Sequence, residues 1–157
     1  MGDSGPLRTR VLCLGNDLIA DDGVGPAVAR LLRERRVAAE VAESSEAGLA
    51  LLDSITGVDR LVVVDAADTG TAPPGSVHVI DEGDLEAPPA GWQHAIGLLD
   101  AMILARHLGM DTPSEVTLVA VEAGDLVSIG APLSSPVAAA VPVAAAAVER
   151  LLSAPPA

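Results

Sequence analysis

Short apolar runs alternate with amphipathic stretches in the first third of the chain. Apolar runs lie at 10–15 and 38–43, and each is followed by apolar residues at helical spacing, at 24–32 and at 49–55. A short run is typical of a strand, and the wider spacing is typical of one face of a helix. The pattern therefore predicts the order strand, helix, strand, helix.

The next apolar run, within 59–68, is the best candidate for the centre of a sheet. Residues 61–64 are apolar without a break, as a strand buried on both faces requires. The segment 75–82 alternates apolar and polar residues and is predicted to be an edge strand.

The second half of the chain predicts two more helices and another buried strand. A helix is expected over 94–107, with Gly109 as a C-terminal stop, and a strand is expected over 114–123. The last helical pattern spans 136–152. It contains Pro142, which must either kink the helix or delay its start.

This alternation of strands and helices predicts a single α/β domain over residues 1–157. The length suits one domain, and no linker-like segment divides the chain. We expect three αβα layers around a twisted, mostly parallel sheet of about five strands. Residues 1–9 and 153–157 are expected to be frayed.

The chain is strongly acidic. It has 22 Asp and Glu residues against nine Arg and no Lys, for a net charge of −13. Such a surface repels nucleic acids and anionic membranes, so neither is an expected partner. The one basic run, Arg30 to Arg36, falls where the first helix should end, and cations there complement the helix dipole.

Cysteine use predicts a cytoplasmic protein. Cys13 is the single cysteine, so no internal disulfide can form, and the sequence has no Cys/His cluster typical of a zinc site. The apolar run at 11–14 is shorter than the apolar core of a secretory signal.

Acidic residues follow two of the predicted strands, where a ligand site is expected. In open α/β sheets, ligands bind beyond the carboxyl ends of the strands. Asp21 and Asp22 precede the first helix; one of them would cap that helix, which leaves the other carboxylate for a ligand. Asp65 ends the central apolar run, and a carboxylate that emerges from a buried strand needs a polar partner or a metal ion.

His94 lies at a junction between a loop and a helix, where the sequence pattern favours neither a ligand nor a structural histidine. His78 falls within the edge strand and His107 in the last turn of a helix, so both are expected to be structural or exposed. Asp22, Asp65 and His94 together would make a three-ligand site for zinc, nickel or iron, with positions left open for substrate or water.

Other classes of function fit the sequence less well. The motifs of serine hydrolases, zinc proteases, P-loops and dinucleotide-binding loops are missing, so no organic cofactor is expected. A phosphoacceptor receiver domain also carries an acidic pair after its first strand and an Asp after its third. Receivers use a lysine to contact the phosphoryl group, however, and this chain has no lysine.

Four blocks of sequence point to one family. LGNDLIADDGVGPAVARLL (14–32) and VVVDAADTGTAPPGSVHVI (62–80) are followed by WQHAIGLLDAMILA (92–105), in which a His begins a helix. VTLVAVEA and LSSPVAAAV close the series with a strand and a helix. In this order, from 11 to 152, they closely resemble the nickel-iron hydrogenase maturation endopeptidases.

The resemblance implies an endopeptidase that removes the C-terminal extension from the precursor of a [NiFe] hydrogenase large subunit. Cleavage follows nickel insertion into a cysteine-ligated centre of the precursor, so nickel would be a recognition element carried by the substrate. The family's nickel ligands fall here on Asp22, Asp65 and His94, which are also the candidate catalytic residues. Hydrolysis would use metal polarisation of the scissile carbonyl or a carboxylate-activated water. The alternative is an autonomous metallohydrolase that holds its own ion.

The clearest departure from the family lies at 43–48, where Asp-Gly-Gly-Thr commonly precedes Ala-Gly. Ser44 and Ser45 replace the two glycines, which would permit close backbone approach to substrate. We expect both serines at the substrate-binding surface, with a helix N-cap as the structural alternative. Trp92, the one aromatic residue of the chain, is expected to contact the precursor beside His94, because tryptophan is enriched among residues that dominate interface energies.

Overall fold

The computed structural model of the chain describes residues 5–85, 91 and 93–156. The strands in this part are β1 (Thr9–Leu14), β2 (Glu40–Ser44), β3 (Arg60–Ala67), β4 (Val77–Asp81) and β5 (Glu115–Glu122). They form one sheet in the order β2-β1-β3-β5-β4, in which β4 is antiparallel to β5 and the other neighbours are parallel. The predicted α/β class, with a mostly parallel sheet of five strands, is confirmed.

Helices cover both faces of this sheet, which gives the three expected layers. They are α1 (Val24–Glu34), α2 (Leu52–Ile55), α3 (Gln93–His107) and α4 (Ser135–Ser153), with 3-10 turns at Ala20–Gly23, Gly48–Leu51 and Glu82–Leu85. One core cluster joins the sheet to α1 and α4, and a second cluster joins it to α2 and α3. The helix expected over 49–55 begins as a 3-10 turn, and its last four residues form α2.

Strand β3 lies in the middle of the sheet and is buried along its whole length, as its apolar run predicts. Side chains of a strand alternate between the two faces of a sheet. Val62 and Val64 pack in the cluster of α1 and α4, whereas Leu61 and Val63 pack in the cluster of α3. The same alternation places Asp65 on the α3 face, near the carboxyl end of the strand.

Regular structure reaches into both of the segments that were expected to be frayed, 1–9 and 153–157. β1 begins at Thr9, and the preceding Arg8 forms an ion pair of 2.8 Å with Asp59. At the other end, α4 continues to Ser153.

The arginines near the end of α1 face carboxylates. Arg33 pairs with Glu43, and Arg35 pairs with Glu149. The basic run therefore tethers the end of α1 to β2 and α4.

Helix α4 begins before Pro142, so the proline does not delay its start. Pro142 is exposed, so water can reach the carbonyl group that lacks an N–H partner. Among the described residues, α4 is the one helix that is long and apolar enough to cross a membrane by length and composition alone. Ala144 and Val148 on its other side are fully buried in the cluster shared with α1 and the sheet, as in a core helix.

Two glycines bring the start of α1 against the end of β1. A Cβ at Gly25 would lie 2.0 Å from the carbonyl oxygen of Leu14. Gly15 has a φ of +135°, and a Cβ there would lie 2.0 Å from the carbonyl oxygen of Asp22. Glycine at both positions therefore allows the turn that carries Asp22 to lie over the carboxyl end of β1.

Gly25→Ala is expected to destabilise the fold by about 3 kcal/mol, because the added methyl group overlaps a backbone carbonyl that cannot move without shifting β1. Thermal unfolding measures the loss. Gly83→Ala is the matched control, since a Cβ at Gly83 meets no atom within 4 Å. A Gly25→Ala protein that melts at the wild-type temperature would contradict the close packing of α1 on β1.

Candidate active site

The side chains of Asp22, Asp65 and His94 meet at the carboxyl ends of β1 and β3. One ligand atom from each of the three lies within 4.8 Å of the other two. Asp22 comes from the turn before α1, Asp65 from β3, and His94 from the first turn of α3. The structure thus brings together the three residues that the sequence singles out, in a group that could hold a divalent ion.

Asp65 and His94 form the inner pair of this group. The His94 Nδ1 lies 3.0 Å from Oδ1 and 3.1 Å from Oδ2 of Asp65, and the backbone N–H of Ala66 donates to Oδ1 at 2.8 Å. Asp65 is only 5% exposed. When Nδ1 carries the proton of this hydrogen bond, Nε2 keeps the lone pair that a metal ion binds.

The electrostatics of the pair favour a bound proton or a cation. Burial raises the pKa of Asp65 above its ordinary value, and the hydrogen bond with Asp65 raises the pKa of His94. The negative charge of Asp22 raises both pKa values further. A divalent cation would compete with that proton for the same charge.

Asp22 is half-buried in the 3-10 turn between β1 and α1. The backbone N–H of Asn16 donates to its Oδ2 at 2.8 Å. Ala20 in the same turn has a φ of +39°, in the left-handed region that residues other than glycine rarely adopt. Backbone strain of this kind persists where the surrounding structure holds it, and it is common at functional sites.

Neither Asp21 nor Asp22 caps α1, so the prediction that one of them caps this helix is wrong. Gly23 is the N-cap residue, and no side chain caps the helix. The 3-10 turn runs directly into α1, and the backbone N–H of Val24 bonds to the carbonyl group of Asp21 instead. Helical continuity thus replaces the side-chain cap.

Asp21 holds the loop between β5 and α4, a role that the sequence did not predict. Its fully buried carboxylate accepts hydrogen bonds from the backbone N–H groups of Gly124, Asp125 and Ser134 and from the Ser134 hydroxyl, at 2.7–2.8 Å. Burial alone raises the pKa of Asp21, but these hydrogen bonds outweigh it and hold the pKa below its ordinary value. Asp21 therefore ties the turn that carries Asp22 to the 124–134 loop.

Glu122 holds a second loop at this end of the sheet. It is 1% exposed, and its carboxylate accepts hydrogen bonds from the backbone N–H groups of Thr69 and Gly70 and from the Thr69 hydroxyl, all at 2.9 Å. The signal in the sequence is the one that singled out Asp65: an acid at the end of a buried apolar run.

A cleft of about 370 Å³ opens over the candidate site. Gly91 brings the start of α3 to this cleft, because its φ is +95° and a Cβ there would lie 1.7 Å from the carbonyl oxygen of Asp68. The backbone N–H of Asp68 also donates to the Gly91 carbonyl group at 3.1 Å. The lining residues are Ile19, Asp22, Ala66, Asp68, Gly91, His94, Leu126 and Val127.

The serines expected at the substrate surface lie near this site but outside the cleft. Ser44 ends β2, and with Ser45 it lines a concavity of about 240 Å³ that also includes Asn16, the residue that donates to Asp22. The Ser44 hydroxyl accepts from the backbone N–H of Glu46 and caps no helix. Trp92 lies outside the described residues, so its contact with the precursor stays a prediction.

One protein family matches most of the chain. A family model described as hydrogenase maturation protease (HycI) matches residues 26–151. The chain belongs to this family. Residues Asp65 and His94 of this hydrogenase maturation protease lie inside the matched segment, and Asp22 lies just before it.

Relatives of this hydrogenase maturation protease cover most of its length. The hydrogenase expression/formation protein HupD of Rhizobium leguminosarum bv. viciae is 28% identical over 151 residues, which cover 92% of this chain and 74% of HupD. The hydrogenase 2 maturation protease of Escherichia coli K12 is 28% identical over 120 residues, or 73% of each chain. Among solved structures, the maturating endopeptidase HybD from E. coli has a TM-score of 0.80 and 26% identity, over 93% of this chain and 92% of that one.

The structure of the [NiFe] hydrogenase maturation protease HybD from Thermococcus kodakarensis is also similar. It has a TM-score of 0.70 and 29% identity, over 94% of this chain and all of that chain. These relatives are maturation proteases and endopeptidases. This hydrogenase maturation protease is accordingly an enzyme, an endopeptidase, on the same α/β fold.

Asp21→Asn is expected to lower the free energy of unfolding by about 3 kcal/mol at neutral pH. The amide nitrogen would replace an oxygen that accepts hydrogen bonds from backbone N–H groups, and those groups would stay buried without partners. Urea unfolding measures the loss. Asp17→Asn is the control, because the Asp17 side chain is 60% exposed and its ion-pair partner Arg30 is 3.9 Å away.

The same variant should also change how stability depends on pH. Because the pKa of Asp21 is lower in the folded state, its ionised form stabilises the fold above about pH 4, and this contribution is lost as the pH falls through the folded-state pKa. The gap between wild type and Asp21→Asn is therefore full at neutral pH and narrows in acid. A gap that stays constant down to low pH would contradict the role of the carboxylate charge.

Proposed function

We propose that this protease removes the C-terminal extension from the nickel-loaded precursor of a [NiFe] hydrogenase large subunit, in the cytoplasm. Asp22, Asp65 and His94 bind the nickel that the substrate carries. The observation that carries the proposal is the meeting of two carboxylates and one imidazole within 4.8 Å, on a cleft of about 370 Å³. Membership of the hydrogenase maturation protease family supports the class of substrate.

The ligand set suits a metal ion that is shared between two proteins. Imidazole is a good ligand for nickel, and three protein ligands leave positions open on the ion. The precursor would fill those positions with the ligands that already hold its nickel. The protease thus recognises a precursor whose metal is in place, and its own three ligands do not require a permanently bound ion.

Hydrolysis at this site requires a water molecule to attack the scissile carbonyl carbon while the amide nitrogen leaves with a proton. Nickel held by the three side chains would polarise that carbonyl group, or a carboxylate would take the proton of the water. Asp22 lines the cleft, whereas Asp65 is almost fully buried and tied to His94. Of the two carboxylates, Asp22 is therefore the one that a water in the cleft can reach.

Asp65→Asn and His94→Ala are each expected to abolish processing, by at least about a hundredfold, while the protein stays folded. Each removes a ligand at the rim of the sheet without opening a cavity in the core. His94→Ala also takes the hydrogen-bond partner from Asp65, so cleavage is assayed well below its melting temperature, and circular dichroism checks the fold. His107→Ala is the matched control, because this exposed histidine lies at the far end of α3. Normal processing by both folded variants would defeat the assignment.

Nickel dependence separates the proposal from an autonomous metallohydrolase. We expect the purified protease to contain little bound metal and to cleave nickel-loaded precursor but not nickel-free precursor. Metal analysis of the protease and cleavage of the two precursor forms measure this directly. Stoichiometric zinc in the resting enzyme, with cleavage of nickel-free precursor at full rate, would favour the autonomous enzyme.

A further inference from the structure

Three apolar side chains stand exposed beside the cleft of the candidate site. Leu18 is 64% exposed, Val127 is 83% exposed and Ile129 is 85% exposed. Val127 also lines the cleft, next to Leu126. Val127 therefore belongs both to these exposed apolar side chains and to the lining of the cleft.

The backbone beneath this surface is held in place. Ile19 and Ile129 form an antiparallel bridge, and the backbone N–H of Gly130 donates to the carbonyl group of Leu18 at 2.7 Å. The Asp125 carboxylate accepts from the backbone N–H groups of Val127 and Ser128, both at 3.0 Å.

The buried carboxylate of Asp21 fixes the same loop at both of its ends, at Gly124 and at Ser134. Val127 and Ile129 are thus exposed on a loop whose backbone is held in place by hydrogen bonds. Apolar side chains exposed together at a groove are typical of a surface that binds a partner or ligand.

We infer that Leu18, Val127 and Ile129 bind an extended, apolar segment of the precursor polypeptide next to its scissile bond. The inference rests on the proposed function. A substrate chain that places its scissile bond at Asp22 and His94 must leave the cleft along one wall, and Val127 forms part of that wall. A second copy of the protease on this surface would instead cover the mouth of the cleft.

Charge around the surface restricts the chemistry of the bound segment. Asp22 and Asp68 lie in the cleft, and Asp17 and Asp125 lie in the two loops that carry the apolar side chains. Carboxylates on the substrate would be repelled here. The substrate segment that fits this surface carries apolar side chains, and its other side chains are uncharged polar or basic ones.

The test uses the double variant Val127→Ser and Ile129→Ser, which removes apolar area without adding charge. For nickel-loaded precursor we expect KM to rise about tenfold and kcat to stay within about twofold of wild type. The melting temperature should not change, because both side chains are exposed. The matched control is Leu108→Ser with Val143→Ser, which removes two exposed apolar side chains, one just after α3 and one in α4.

Each outcome separates this inference from the proposed function. Cleavage by the wild type establishes the activity, so an unchanged KM in the double variant then overturns the docking surface alone. A fall in kcat at constant KM, or a dimer that the double variant dissociates without a change in KM, also overturns it. Absence of cleavage by the wild type overturns the proposed function, and the inference with it.

Discussion

A carboxylate that is almost closed off from water needs partners, and the partners of Asp65 organise this end of the molecule. Alternation along β3 turns Asp65 toward α3, and the backbone N–H of Ala66 satisfies only part of its hydrogen-bonding capacity. The imidazole of His94 is the second partner, with Nδ1 within hydrogen-bond distance of both carboxylate oxygens. The start of α3 must therefore lie close to the end of β3, and the positive φ of Gly91 allows that residue to approach the backbone of Asp68. The hydrogen bond that makes the burial of Asp65 possible is thus the same contact that brings His94 into the site.

Acids at the carboxyl end of the sheet serve two different purposes. Asp22 lines the cleft and Asp65 lies buried behind His94, and a cation from the substrate would bind to this group. Asp21 and Glu122 are more deeply buried, and each is saturated by hydrogen bonds from a loop. These two acids brace the segments around the cleft, so that a site made from separate loops keeps its geometry.

Much of the fold could be predicted from local pattern, because buried parallel strands and amphipathic helices leave strong signals. Asp22 and Asp65 could be identified from the same strand signals, because Asp22 follows one predicted strand and Asp65 ends another. His94 needed the family resemblance, because nothing in its local sequence shows that α3 returns its first turn to the end of β3. The role of Asp21 was out of reach, since its hydrogen-bond donors lie 103 to 113 positions further along the chain. For Pro142 the sequence left a kink or a delayed start open, and α4 begins before it; which face of the helix packs, and so the exposure of Pro142, could not be predicted locally.

X-ray absorption at the nickel edge tests most directly whether the three side chains bind the metal of the substrate. Nickel-loaded precursor would be measured alone and again in a complex with the protease that is frozen before turnover. We expect nickel to gain oxygen and nitrogen ligands in the complex, with the scattering pattern of an imidazole that disappears when His94→Ala replaces the wild type. An unchanged nickel spectrum in a complex shown to have formed would contradict it.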